Sequence, residues 1–230
     1  MEIGLKGVVV IVGGYGSGKT EVAINLAVNQ KRRGAKVRVA DLDLVNFYFR
    51  TREAKHYLAD LGIDLVLPPK QYMNADLPIL APEVAGMIRH PAELTLLDVG
   101  GDDAGATVLA SLADAFSGRP YRMLQVVNPF RPNTATMAGC LKIQKEIEAA
   151  SGMTIDGIIG NANLIDETTH EVVQQGYVFV SALSDHTGLP LEFITASTDL
   201  LPQLDTASFG CPILAIDRRL SMPWTKKQMD

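Results

Sequence analysis

Gly13, Gly18, Lys19 and Thr20 stand at the spacing Gly-x4-Gly-Lys-Thr, inside the stretch VVVIVGGYGSGKTE at 8–21. That spacing is a complete phosphate-binding loop. Glycines let the chain take positive φ and turn its N–H groups inward around an anion, with no Cβ in the way. A helix opening after Gly18 adds unpaired N–H groups and a dipole that favour negative charge at its start. Lys19 then reaches the β- and γ-phosphates as a point charge and is the first catalytic candidate, while Thr20 offers its hydroxyl to Mg²⁺. The nucleotide-binding segment is therefore expected to run through Gly13, Gly14, Tyr15, Gly16, Ser17, Gly18, Lys19, Thr20 and Glu21.

Two further acidic segments carry chemistry. Asp41 and Asp43 lie at i and i+2 in DLDLVN, so on an extended segment they point the same way, as a magnesium shell or an attacking water requires. A helix-capping Asp with a solvated neighbour would use the same residues. The run Leu96-Leu97-Asp98-Val99-Gly100-Gly101 ends an apolar strand in an acid, the pattern of a carboxylate that holds Mg²⁺, with Gly101 at the spacing of a γ-phosphate sensor. Asp102 and Asp103 either extend this acidic site or, the preferred reading, Asp103 N-caps the next helix.

The elements that must position these residues alternate. Short, apolar, β-branched runs at 6–12, 36–40, 63–67, 94–99, 122–127, 154–160, 177–181 and 212–216 read as strands covered on both faces. Helical patterns lie between them at 18–33, 48–61, 81–90, 104–116, 133–150 and 168–175, with Gly34 and Gly152 as stops. This rhythm predicts an α/β fold: a doubly wound, mostly parallel sheet of seven or eight strands with helices on both faces. Ligands of such sheets bind beyond the carboxyl ends of the strands, where the acids and the glycine loop fall. The 230 residues suit one nucleotide-binding domain over 1–230.

The loop, the DxD-x-x-N segment ending at Asn46 and the strand-end Asp98 together resemble the MinD/ParA/CobQ/CobB nucleotide-binding family. That family belongs to the SIMIBI class of P-loop NTPases, with the signal-recognition GTPases and the nitrogenase iron protein. Val127-Asn128-Pro129 resembles its strand-end proline segment, and Gly157-Ile158-Ile159-Gly160-Asn161 the strand that ends in a base-reading Asn. The resemblance implies that Lys19 contacts phosphates, Thr20 and Asp98 bind Mg²⁺, and Asp41 supports the metal. It also implies that Asp43 positions the attacking water and Asn161 meets the base.

The sequence departs from the family where many members carry a second lysine that reaches a dimer partner's phosphates: here that position is Gly14. Glu21 replaces the family's usual small hydroxyl residue. Arg50, Arg52 and Arg131 are the candidate substitute cations. Guanine-specific relatives read the base with an Asp three residues after the Asn; Leu164 stands there, which favours ATP. The implied function is a magnesium-dependent ATPase acting as a switch, through an ATP-dependent homodimer or a protein partner. The alternative is an ATP-dependent small-molecule ligase of the dethiobiotin-synthetase or CobB type, which also lacks the second lysine.

Composition narrows the rest. A net charge of −5 gives no broad basic field, so nucleic-acid partners are not expected. Cys140 and Cys211 show neither metal nor disulfide spacing and read as buried thiols in a cytoplasmic protein. No run approaches the length of a membrane span, and Pro223 breaks the basic C-terminal stretch, so no membrane anchor is expected. The proline-rich segment 67–82 reads as a surface loop and a candidate partner contact.

Overall fold

A computed structural model describes residues 1–43, 55–67, 82–101 and 103–218. Strand β1 (Gly7–Val12) leads through the glycine loop into helix α1 (Lys19–Arg32), and β2 (Val37–Leu42) follows. After α2 (Lys55–Asp60) and β3 (Asp64–Val66) come α3 (Pro82–Arg89) and β4 (Leu94–Val99). Helices α4 (Asp103–Ser111) and α5 (Ala113–Phe116) precede β5 (Tyr121–Val127), then α6 (Met137–Ser151) and β6 (Gly157–Gly160). The described chain finishes with α7 (His170–Thr187), β7 (Leu191–Ser197) and β8 (Ile213–Ile216).

Eight strands form one sheet in the order β3-β2-β4-β1-β5-β6-β7-β8, and every described pairing is parallel. The strand alternation of β1 explains the layers. Val9 and Ile11 face one core with Val22, Leu26 and Ala27 of α1, whereas Val8, Val10 and Val12 face a second with Met87 and Ile88 of α3 and Val108 and Leu109 of α4. A third cluster joins Val173, Val180 and Leu183 of α7 to Ile158, Ile194 and Ala196 of β6 and β7. The result is a three-layer α/β/α fold. Helix α1 packs against β4 and also against edge strand β8, so the twisted sheet curls around it. Asn25 of α1 fastens that closure, donating to the Asp217 carbonyl at 3.2 Å and accepting from the Asp217 N–H at 2.9 Å.

One expected strand is a helix. Residues 177–181, Tyr-Val-Phe-Val-Ser, lie in the middle of α7. Their β-branched and aromatic composition favours a strand locally, but Val173, Gly176, Val180 and Leu183 recur at helical spacing and face the core. Thr169 caps the start by accepting from the Val172 N–H, and Gly188 closes the end in the left-handed conformation. The eighth strand is instead β7, which begins directly after Pro190. The expected strand at 154–160 narrows to Gly157–Gly160, and the helix expected at 104–116 divides at Leu112. Residues 68–81, proposed as a partner-contact loop, lie outside the described residues.

Both cysteines are buried and free, and burial pushes the Cys140 thiol up to about 11 and the Cys211 thiol upward, so neither forms a reactive thiolate near neutral pH. Among the described residues no helix is long and apolar enough to cross a membrane.

Candidate functional site

The site lies at the carboxyl ends of β1, β2 and β4, beside the point where the chain order reverses about β1. Gly13 leaves β1 at φ +146, and a Cβ there would come within 2.5 Å of the Val126 carbonyl, so the loop can start its turn only with glycine. The Ser17 N–H donates to the Gly14 carbonyl at 3.2 Å, closing a tight turn. Gly18, at φ +90, is the N-cap of α1 and has no side chain to satisfy the first-turn amides. A helix start left uncapped in this way is available to an anion.

Lys19 is 8% exposed, and its Nζ donates back across the loop to the Gly14 carbonyl at 3.1 Å. The backbone of Gly101, after β4, closes over it: a Cβ on Gly101 would meet Lys19 Nζ at 2.6 Å and the Tyr15 amide nitrogen at 3.0 Å. Lys19, Gly101 and the loop backbone are thus brought together as the spacing of the two motifs implies.

The acids are held by register. Asp41 of β2 and Asp98 of β4 are directly paired across neighbouring strands, and Asp98 is paired on its other side with Ile11 of β1. Asp98 is fully buried and Asp41 is 2% exposed. The Asp43 N–H donates to Asp41 Oδ1 at 3.0 Å, which turns the chain just past β2. No described residue hydrogen-bonds to either Asp98 oxygen in regular geometry. Its carboxyl is pushed up to about 7, first by burial and then by the neighbouring Asp41 charge, with Asp43 adding to the rise. The Thr20 hydroxyl and the Lys19 ammonium pull the other way. A buried carboxyl flanked by a second acid and a hydroxyl is a donor set that fits a hard divalent cation such as Mg²⁺.

The remaining residues divide. Tyr15 is 72% exposed at the tip of the loop. Glu21 lies in the first turn of α1, where its charge complements the helix dipole. Arg50 and Arg52 lie outside the described residues, as does Asp102. Asp103 begins α4. Arg131 comes to the loop from the far end of β5 and donates Nε to the Gly16 carbonyl at 3.1 Å. Its turn is rigid: Asn128 Oδ1 accepts from the Phe130 N–H, and the Asn128 carbonyl accepts from the Arg131 N–H and the Thr134 hydroxyl.

Asn161, expected to meet the base, turns its side chain to the loop. Its Nδ2 donates to the Ser17 carbonyl at 2.6 Å, and its Oδ1 accepts from the Thr195 hydroxyl at 2.5 Å. Thr195 is the site-proximal residue to which sequence reasoning gave no role. Nothing in the sequence couples Thr195 to the loop.

Fold and loop together give a parallel α/β/α sheet with a Gly-x4-Gly-Lys-Thr loop at the end of its central strand. In this fold the chain is structurally similar to FtsY, signal recognition particle and FlhF proteins. It superposes on chloroplast FtsY from Physcomitrella patens with a TM-score of 0.56 and 22% identity, covering 84% of this chain and 60% of that one. It also matches the signal recognition particle 54 kDa protein from Aeropyrum pernix in complex with GDP, with a TM-score of 0.54, 20% identity, and 82% and 41% coverage. FlhF complexed with GTP and Mg²⁺ gives a TM-score of 0.55 at 17% identity, with 85% and 67% coverage. The chain therefore spans about 60% of the FtsY chain it resembles. No family model matches the sequence, and no curated protein matches it. Identities of this size show the fold.

Proposed function

We propose that this protein binds a purine nucleoside triphosphate with Mg²⁺ and uses the state of its γ-phosphate as a switch. The observation that supports this most is the pairing of opposites at one point: the buried Lys19 ammonium against the loop and Gly101, and the buried Asp98 carboxyl, which the Thr20 hydroxyl and Lys19 offset only in part. A polyphosphate and its cation would neutralise both.

The amides of 13–20 and Lys19 bind the phosphates. Thr20 and Asp98, supported by Asp41, would hold Mg²⁺, which when bound offsets the charge on the β- and γ-phosphates. Asp43, just past Asp41, orients the attacking water. Gly101 packs on Lys19 and Tyr15, so a change at the γ-phosphate is felt by the backbone leading into α4. Arg131 adds a cation beside Gly16 from the same chain, which offsets the lack of a lysine at position 14. The switch is then read by a second copy of the chain or by a protein partner.

Two observations pull the base assignment in opposite directions. Leu164 in place of a carboxylate favours adenine, whereas the named neighbours with bound nucleotide hold GDP and GTP. The test uses both: fluorescent ATP and GTP are titrated with Mg²⁺ into the wild-type protein and Lys19→Ala, with light scattering to follow mass. Retention of one nucleotide by wild type only, with a mass increase in the triphosphate state, is the expected result. Failure of wild type to retain either nucleotide rejects the proposal.

A further inference from the structure

Three buried polar groups form a line on the side of the loop away from the acids. The Thr195 hydroxyl of β7 donates to Asn161 Oδ1, and Asn161 Nδ2 donates to the Ser17 carbonyl. Thr195 is 2% exposed and Asn161 4%. The Asn161 backbone is itself pinned, its N–H donating to the Val127 carbonyl at 2.8 Å.

Direction is fixed along this line. The Ser17 carbonyl can only accept, so the amide nitrogen must face it, and the amide oxygen must then face the Thr195 hydroxyl. A flipped amide would set oxygen against oxygen. The Ser17 carbonyl and the Gly18 N–H belong to one planar trans peptide and point in opposite directions. Drawing the carbonyl toward Asn161 therefore turns the Gly18 N–H away from it. A Cβ on Gly18 would overlap Asn161 Nδ2, so the amide is packed directly against the last glycine before α1.

We infer that Asn161 and Thr195 are positioning residues for the phosphate loop: they orient the Ser17–Gly18 peptide and so act on the phosphate end of the ligand, whatever its base. This rests on the reading of 13–20 as a phosphate site. It differs from a base-reading Asn161 in a measurable way.

The experiment measures the affinities of ATP, GTP and inorganic triphosphate, each with Mg²⁺, by competition against a fluorescent nucleotide. The proteins are wild type, Thr195→Val, Thr195→Ser and Asn161→Asp, each with its melting temperature recorded. Thr195→Val removes one buried hydrogen bond at nearly constant volume and is expected to weaken all three ligands alike, by about three- to tenfold. Thr195→Ser keeps the hydroxyl and restores most of that loss. Asn161→Asp sets a carboxylate against the Ser17 carbonyl and is expected to weaken all three by about a further tenfold. The inference is overturned if the variants weaken the nucleotides but spare inorganic triphosphate, or if the ratio of ATP to GTP affinity shifts. It is equally overturned if melting temperature falls while affinities stay put. Wild type that binds none of the three ligands rejects the phosphate-site reading itself, a separate and earlier failure.

Discussion

At the carboxyl ends of the strands, the buried polar side chains on the β4 side of β1 are the acids Asp41 and Asp98; on the β5 side they are the amides and hydroxyl of Gln125, Asn128, Asn161 and Thr195. Asp41 and Asp98 sit side by side in the sheet, and the Asp41 charge adds to the cost of ionising Asp98. Across the loop, Gln125 donates to the Cys140 carbonyl at 3.2 Å, Asn128 to the Asn163 carbonyl at 2.9 Å, and Asn161 and Thr195 complete the line to Ser17. The neutral flank is satisfied within the protein. The acidic flank is satisfied only in part, and its burial costs stability until a cation arrives. Strain of this kind belongs where a ligand is expected, whereas a complete hydrogen-bond set belongs to a scaffold that holds the loop in shape.

The largest effect should come from neutralising the acidic flank. A carboxyl raised from 3.8 to about 7 binds its proton more tightly folded than unfolded, so its stabilising contribution is full below pH 4 and is lost as pH rises through about 7. At 1.36 kcal/mol per unit this amounts to about 4 kcal/mol. In chelator, the stability of Asp98→Asn should gain on wild type by about that amount between pH 4 and pH 8, measured by urea unfolding. A constant difference across that range would remove the electrostatic contrast between the flanks. Mg²⁺ should raise the melting temperature of wild type more at pH 8 than at pH 6, and should leave Asp98→Asn nearly unmoved.

Next in size, Lys19→Ala should weaken nucleotide retention by about a hundredfold or more, because a buried cation facing phosphate has no replacement in the loop. On the scaffold side, Gly18→Ala places a side chain at φ +90 and against Asn161, and should cost about 1–3 kcal/mol in folding while weakening nucleotide binding. Smallest of all, Arg131→Ala should reduce affinity or turnover by about fivefold, consistent with a half-exposed cation tied to a backbone carbonyl. No change in either quantity would remove Arg131 from the candidate substitute cations and leave Arg50 and Arg52.

The sequence showed the acidic flank and the loop almost whole. Strand 94–99 has the expected limits, and the loop, Asp41 and Asp98 are local patterns whose spacing alone was enough to expect them at one point of the sheet. The neutral flank was not legible, for physical reasons. Asn161 acquires its partners from the β6–β7 pairing and from Ser17, 144 residues earlier, and pairing registers leave no mark on composition. Thr195 lies on the strand that was not foreseen, behind Leu189-Pro190, while the β-branched run at 177–181 drew the assignment to itself. The contact of Arg131 with Gly16 spans 115 residues and is likewise invisible to any local pattern.

The latch between Asn25 and the Asp217 backbone joins positions 192 residues apart. During synthesis the helix that carries Lys19 is made well before β8, the strand that supplies its closing contacts. A nascent or truncated product stopping short of β8 would display every residue of the glycine motif and still leave one flank of that helix bare. The packing of the helix that carries the glycine motif is therefore complete only once β8 has been made and docked.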